Sequence, residues 1–199
     1  DAAQEREALE RVKDLSFALD QILLHREFAG RIDRARIAAA GHSYGANTVM
    51  LATGAGVERD GHRLDVRDPR IKAAVLLSSP PFYGEEDLRA ILRSVTLPTL
   101  HVTATEDIIR IPGFYSPASD RVAVYEAVGS PFKALAVFEG GSHSIFTNRG
   151  GTGGEELNPK VKAATRELAI AFLGRLRNNG LTGGLGHDRV GTRLFERIS

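Results

Sequence analysis

The chain contains no cysteine, carries a net charge of only +1 at neutral pH, and has no long hydrophobic run. Without cysteine there are no disulfides and no thiol catalysis, and the redox compartment stays open. So small a net charge gives no basic field to draw nucleic acid or an anionic membrane, and neither is expected as a partner. Nothing approaches the ~20 apolar residues needed to span a bilayer. Recognisable metal-ligand spacing is missing too. Asp60, His62, Asp65 and Asp68 match no EF-hand or zinc pattern and read as a solvated loop. The glycines near 150 follow no strand directly and precede no Lys-Ser/Thr, which excludes a phosphate-binding loop. No metal or organic cofactor is therefore expected. No signal peptide is visible and the chain opens on Asp1, so its true beginning is not taken to be in view. A secreted or periplasmic location is preferred over a cytoplasmic one.

What is present is ordinary globular composition over 199 residues, 42% hydrophobic and 26% charged. That is one domain's length, with enough chain for a real core. Leu9, Val12, Leu15, Leu19, Ile22 and Leu23 recur at helical spacing, predicting a long amphipathic helix over 4–28 closed by Gly30. His25 near its end reads as a surface residue. Four short apolar runs follow, at 36–40, 71–78, 97–104 and 132–138, each reading as a buried parallel strand. Helical stretches separate them at 46–52, 85–94 and 120–128. Asn158 and Pro159 open a last amphipathic helix ending near Gly180. His101, inside the third apolar run, reads as a packed strand residue. The alternation predicts a parallel sheet with helices on both faces. Residues 181–199 form a Gly-rich tail in which no function is seen.

Between the first strand and its helix lies Gly41-His42-Ser43-Tyr44-Gly45. The pattern G-x-S-x-G matches the nucleophile elbow of serine hydrolases, a sharp strand-to-helix turn that exposes the serine hydroxyl. Three fixed positions arise by accident in roughly one chain of this length in ten, so the pentapeptide needs its context. A serine hydroxyl is a poor nucleophile at neutral pH and requires a base, which in turn requires an orienting group. Asp107 lies just past the third predicted strand and His143 just past the fourth. The order Ser, Asp, His is that of sheet-based hydrolases.

On Gly41-His42-Ser43-Tyr44-Gly45, Thr103-Ala104-Thr105-Glu106-Asp107 and Gly140-Gly141-Ser142-His143, the chain resembles the C-terminal half of an α/β-hydrolase. In texture it is similar to the bacterial branch of dienelactone-hydrolase-like, platelet-activating-factor-acetylhydrolase-like and cutinase-like polyester hydrolases. The resemblance covers about residues 1–178 as a catalytic domain, leaving 179–199 as tail. It implies Ser43 as nucleophile, His143 as general base and acid, and Asp107 as orienting carboxylate, with Glu106 as the fallback. Tyr44 would supply one oxyanion N–H. Phe82, Tyr83, Phe114 and Tyr115, in loops leaving strand ends, are candidates for gripping an apolar or aromatic acyl group. Dienelactone hydrolases proper carry cysteine at the elbow, and Ser43 moves the expectation toward ordinary esters, small or polymeric.

A second departure concerns what precedes the elbow. In this family four strands come before the elbow strand, whereas here only a helix does, so the four predicted strands correspond to strands five to eight of eight. The loop giving the second oxyanion donor would be absent, and one such donor contributes ~2.7–4 kcal/mol to the transition state. The elbow strand would also present an unpaired edge. The expected partner is therefore the missing N-terminal half of the same fold. The alternatives to a serine carboxylic ester hydrolase are a peptidase or amidase of the same fold, or a catalytically silent hydrolase-like scaffold.

Overall fold

A computed structural model gives the positions of residues 2–59, 62–84, 87–148, 157–179 and 192–194. Helix α1 (Ala2–Leu24) is amphipathic, with Val12 and Leu23 buried. It stops four residues before the sequence predicts. Arg34 Nη2 donates to the last-turn carbonyl of Leu23 at 2.8 Å, and the chain turns as the Phe28 and Ala29 amides both bond the His25 carbonyl. A cationic side chain satisfying an orphan carbonyl is a helix stop in itself.

Strand β1 (Ile37–His42) leads into helix α2 (Tyr44–Ala52), followed by a small hairpin of β2 (Glu58–Arg59) and β3 (His62–Arg63). Next come β4 (Ile71–Leu77), the short helix α3 (Leu88–Leu92) and β5 (Thr99–Glu106). Asp87 caps α3, its Oδ1 accepting the Ala90 amide at 2.9 Å. A second hairpin, β6 (Ile109–Ile111) and β7 (Phe114–Ser116), occupies what reads as plain loop in the sequence. Helix α4 (Ser119–Ala127), β8 (Lys133–Ser142), α5 (Leu157–Asn179) and β9 (Thr192–Leu194) complete the order.

Five strands form one sheet in the order β1-β4-β5-β8-β9, and every neighbouring pair is parallel. The fifth strand corrects the sequence reading. Thr192–Leu194, inside the presumed tail, lies alongside Ala134–Ala136 and extends the sheet. β5 is buried from Thr99 to Ala104, as expected of a strand covered on both faces. β1 is different. It stands at the margin, pairs only with β4 among the described residues, and leaves Ala38 and Ala40 exposed.

Side chains alternate between two cores. Ala74 and Leu76 of β4 join Val12, Val49, Met50, Leu92 and Val124 from α1 to α4. Val75 joins Leu100, Val102, Ala136, Phe138 and Val161 on the face covered by α5. Each fully buried Val or Leu contributes ~1.5–3 kcal/mol relative to exposure. This is an α/β-hydrolase-like arrangement, and its all-parallel sheet gathers every strand's carboxyl end on one side.

The expected solvated loop over 54–70 also needs correction. Asp68 is only 6% exposed: its carboxylate accepts from Arg70, and its amide bonds the Ala52 carbonyl of α2. Asp65 is exposed, His62 lies in β3, and Asp60 falls outside the described residues. Among the described residues no acidic or histidine cluster forms a metal site, and no helix is long and apolar enough to cross a membrane.

Candidate active site

Three loops at the carboxyl ends of β1, β5 and β8 converge. Ser43 joins β1 to α2 with φ 56° and ψ −125°, a strained conformation for a side-chain-bearing residue. Its amide donates to the Leu77 carbonyl at 2.9 Å, tying the turn to the end of β4. Gly41 makes the turn feasible, since a Cβ there would lie 2.2 Å from the Gly45 carbonyl oxygen. Gly45 itself has no such need: a Cβ there meets nothing within 4 Å. The steric demand of the motif therefore falls on Gly41.

Asp107 follows β5 and is fully buried. His143 directly follows β8, within which Gly140 has a φ of 76° and an amide that donates to Thr105 Oγ1 at 2.8 Å. Beyond it Ile145, fully buried, anchors the loop. His143 Nε2 lies 2.7 Å from Ser43 Oγ, and its Nδ1 lies 2.7 Å from Asp107 Oδ1. A carboxylate only accepts, so Nδ1 carries the proton and Nε2 is free to accept from the serine hydroxyl.

The second carboxylate oxygen of Asp107 accepts from Thr103 Oγ1 at 2.7 Å. Burial pushes the Asp107 carboxyl toward protonation. The hydrogen bonds from His143 and Thr103, with the Ser78 hydroxyl nearby though outside hydrogen-bond geometry, outweigh it and hold the group below the usual carboxylate range. Glu106, the fallback acid, is exposed.

Two further residues touch this constellation. The ring of His42 lies 5.0 Å from that of His143, and its Nε2 donates to the His143 carbonyl at 2.9 Å. Arg121 of α4, 2% exposed, reaches within 3.6 Å of Asp107. The sequence held one faint signal for Arg121: it shares a helix face with Val124, Tyr125 and Val128 where an apolar residue is expected.

Tyr44 opens α2, where first-turn amides have no intrahelical acceptor. Its ring, 37% exposed, lies 4.7 Å beneath the Arg11 guanidinium. Of the four aromatic candidates, Phe82 is corrected. It is buried in the core cluster with Val49 and Ile91, leaving 8% of its surface exposed. Tyr83 is exposed and meets Phe114 at 5.7 Å between ring centroids. Phe114 pairs with Ile111 and Tyr115 with Arg110, so the last two aromatics project from opposite faces of the hairpin. Tyr115 instead carries the Arg110 guanidinium 5.5 Å from its ring centre.

No family model and no curated protein sequence matches the chain. Solved structures do. The butyrate-bound esterase Est2 of the planctomycete Thermogutta terrifontis is 20% identical, with a TM-score of 0.52 over 88% of this chain and 67% of that one. Its propionate-bound form gives 22% identity and 0.54 over the same shares, and its native form 21% and 0.52 over 88% and 66%. At such identity the likeness establishes the α/β-hydrolase-like fold, and the chain spans about two thirds of the esterase's length.

Proposed function

We propose that the protein is a serine hydrolase of carboxylic esters acting through an acyl-enzyme on Ser43. The observation that carries this reading is the unbroken chain from Ser43 Oγ to His143 Nε2 and from His143 Nδ1 to Asp107, 2.7 Å at each step. Ser43 attacks the ester carbonyl while His143 takes its proton, and His143 then protonates the departing alcohol. Water, deprotonated by the same imidazole, releases the acid and restores Ser43. Asp107 orients the ring and stabilises the imidazolium formed in both steps. The Tyr44 amide faces the negative charge developing on the carbonyl oxygen. Tyr83 and Phe114 are the apolar surface offered to the acyl or alcohol group. A small or polymeric ester suits this equipment, and the esterase activity of the similar proteins supports it.

The test is intact mass after exposure to a 4-nitrophenyl alkylphosphonate, alongside turnover of a short 4-nitrophenyl ester and the matching anilide. We expect one adduct and ester turnover, both lost in Ser43→Ala. Equal anilide turnover would turn the reading to a peptidase. A folded protein that neither labels nor turns over ester would be a silent scaffold.

A further inference from the structure

Arg121 is a buried cation that this mechanism does not use. Its side chain is 1% exposed, and placing a guanidinium there is costly unless it is paired and hydrogen-bonded. Its Nη2 donates to Ser116 Oγ, and the Ser116 hydroxyl donates to Asp120 Oδ2 at 2.5 Å. Among the described residues Nε and Nη1 have no hydrogen-bond partner. Nη1 instead stands 3.6 Å from Asp107 Oδ1, the oxygen that accepts His143 Nδ1 at 2.7 Å. An arginine that only holds a fold together closes its fork on the carboxylate. Arg70 does so on Asp68, with Nε to Oδ1 at 2.8 Å and Nη2 to Oδ2 at 2.5 Å.

We propose that Arg121 is a positioning residue for the hydrolase reaction: its charge partly offsets that of Asp107, while its distance leaves both carboxylate oxygens to His143 and Thr103. The proposal rests on the ester-hydrolase reading of Ser43, His143 and Asp107. Coulomb attraction acts well at this separation, whereas a hydrogen bond needs ~2.7–3.2 Å. Arg121 thus supplies field without competing for a lone pair. Its positive charge also opposes the positive charge gained when the triad takes up a proton, so removing it eases that uptake. Among the described residues the charged and titratable groups around this carboxylate are His143 after β8, Arg121 and Asp120 on α4, and His42 against the His143 ring. Glu106, its chain neighbour, is exposed.

The experiment follows the second-order rate of Ser43 phosphonylation across pH 5–9, by intact mass, in the full chain and in Arg121→Met and Arg121→Lys. A thermal melt verifies that each variant is folded. In R121M the midpoint of the acid limb moves up by about half a unit or more, and in R121K it returns to within roughly 0.2 of the parent. A folded R121M with the parent's midpoint makes Arg121 merely structural and overturns the proposal. Should R121M not fold, R121K decides alone: a parent-like midpoint supports the role of charge, and a raised one overturns it. Failure of both variants to fold likewise makes the residue structural. A parent chain that does not label at all sinks the ester-hydrolase reading, and this proposal with it.

Discussion

The two ends of the sheet treat a buried carboxylate in opposite ways. At the amino-terminal end, just before β4, Asp68 gives one oxygen to the backbone amide and Nε of Arg70 and the other to its Nη2. Arg70 goes on to bond Asp20 and the Ser16 carbonyl of α1. The bonds from Arg70 hold Asp68 down at about 2. At the carboxyl-terminal end the pair is held apart and the unresolved costs accumulate. The described non-glycine residues with positive φ, Ser43 and Ser78, both follow strands there. Among the described residues, buried polar atoms without hydrogen-bond partners occur on Ser78 and Ser79 after β4, on Asn47 of α2 and Arg121 of α4, and on Asn158 and Thr165 of α5. Strain and unmet bonding persist only where the surrounding fold imposes them. One end spends its charges on holding the fold, and the other holds them around the proposed triad.

The comparison breaks if Asp107 is only another structural anion. Asp107→Asn should lower kcat/KM for a short 4-nitrophenyl ester about 10⁴-fold, the loss seen when a triad histidine is left in the wrong tautomer. Near-parental turnover would remove the distinction between the two ends. Gly41→Ala attacks the same end through the backbone. Its methyl would meet Gly45 oxygen and carbon at 2.2 and 2.4 Å and Ala46 nitrogen at 2.7 Å, atoms that cannot rotate away. Destabilisation of at least about 2 kcal/mol in urea, together with lost Ser43 labelling, is expected.

His101 sharpens the contrast, because it lies within β5, the strand that ends at Asp107. Burial, reinforced by the charge of Lys133, pushes it down to about 3, so it is neutral in the fold. The unfolded chain binds this proton below about pH 6.5. Stability is therefore fully present above that value and falls as pH drops from 6.5 toward 3, by up to about 1.4 kcal/mol per unit. His101→Phe, which keeps a ring against Tyr125, should flatten urea-unfolding stability across that window. At the amino-terminal end, Asp68→Asn should cost about 1–3 kcal/mol at pH 7 and leave ester turnover unchanged. The Asp68 contribution is present above about pH 4 and lost as pH falls through about 2, so the variant's acid limb should be shallower there. A fall in turnover equal to that of D107N would erase the contrast.

How much of this was readable in the sequence depended on whether a feature had its own local pattern. Ser43, Asp107 and His143 did: strained turns and strand ends impose small residues and fixed spacings. The central strands did as well, since burial on both faces makes them continuously apolar. Three-residue β9 could not be read, because a strand that short is defined by the neighbour it pairs with. Asp68 looked solvated because its partner, Arg70, resembles any surface arginine, and the Asp20 that Arg70 also bonds is 50 positions away from it. Arg121 was nearly hidden for a similar reason, since its place on an apolar helix face fits a snorkelling arginine as well as a buried one. Phe82 could not be assigned because an aromatic after a strand can turn inward as readily as toward a ligand.

The smallest expected effect concerns Gly45, the motif position with no steric demand. It lies in the first turn of α2, its φ is not in the left-handed region, and an added methyl would meet nothing within 4 Å. Glycine inside a helix is less favourable than alanine by roughly 0.5–1 kcal/mol. Gly45→Ala should therefore raise stability by about that amount in urea unfolding while Ser43 labelling proceeds at the parent rate. If labelling slows instead, the substrate must approach the α2 backbone closely enough for one methyl to obstruct it. The constraint at Gly45 would then belong to the bound ester, whereas the constraint at Gly41 belongs to the fold.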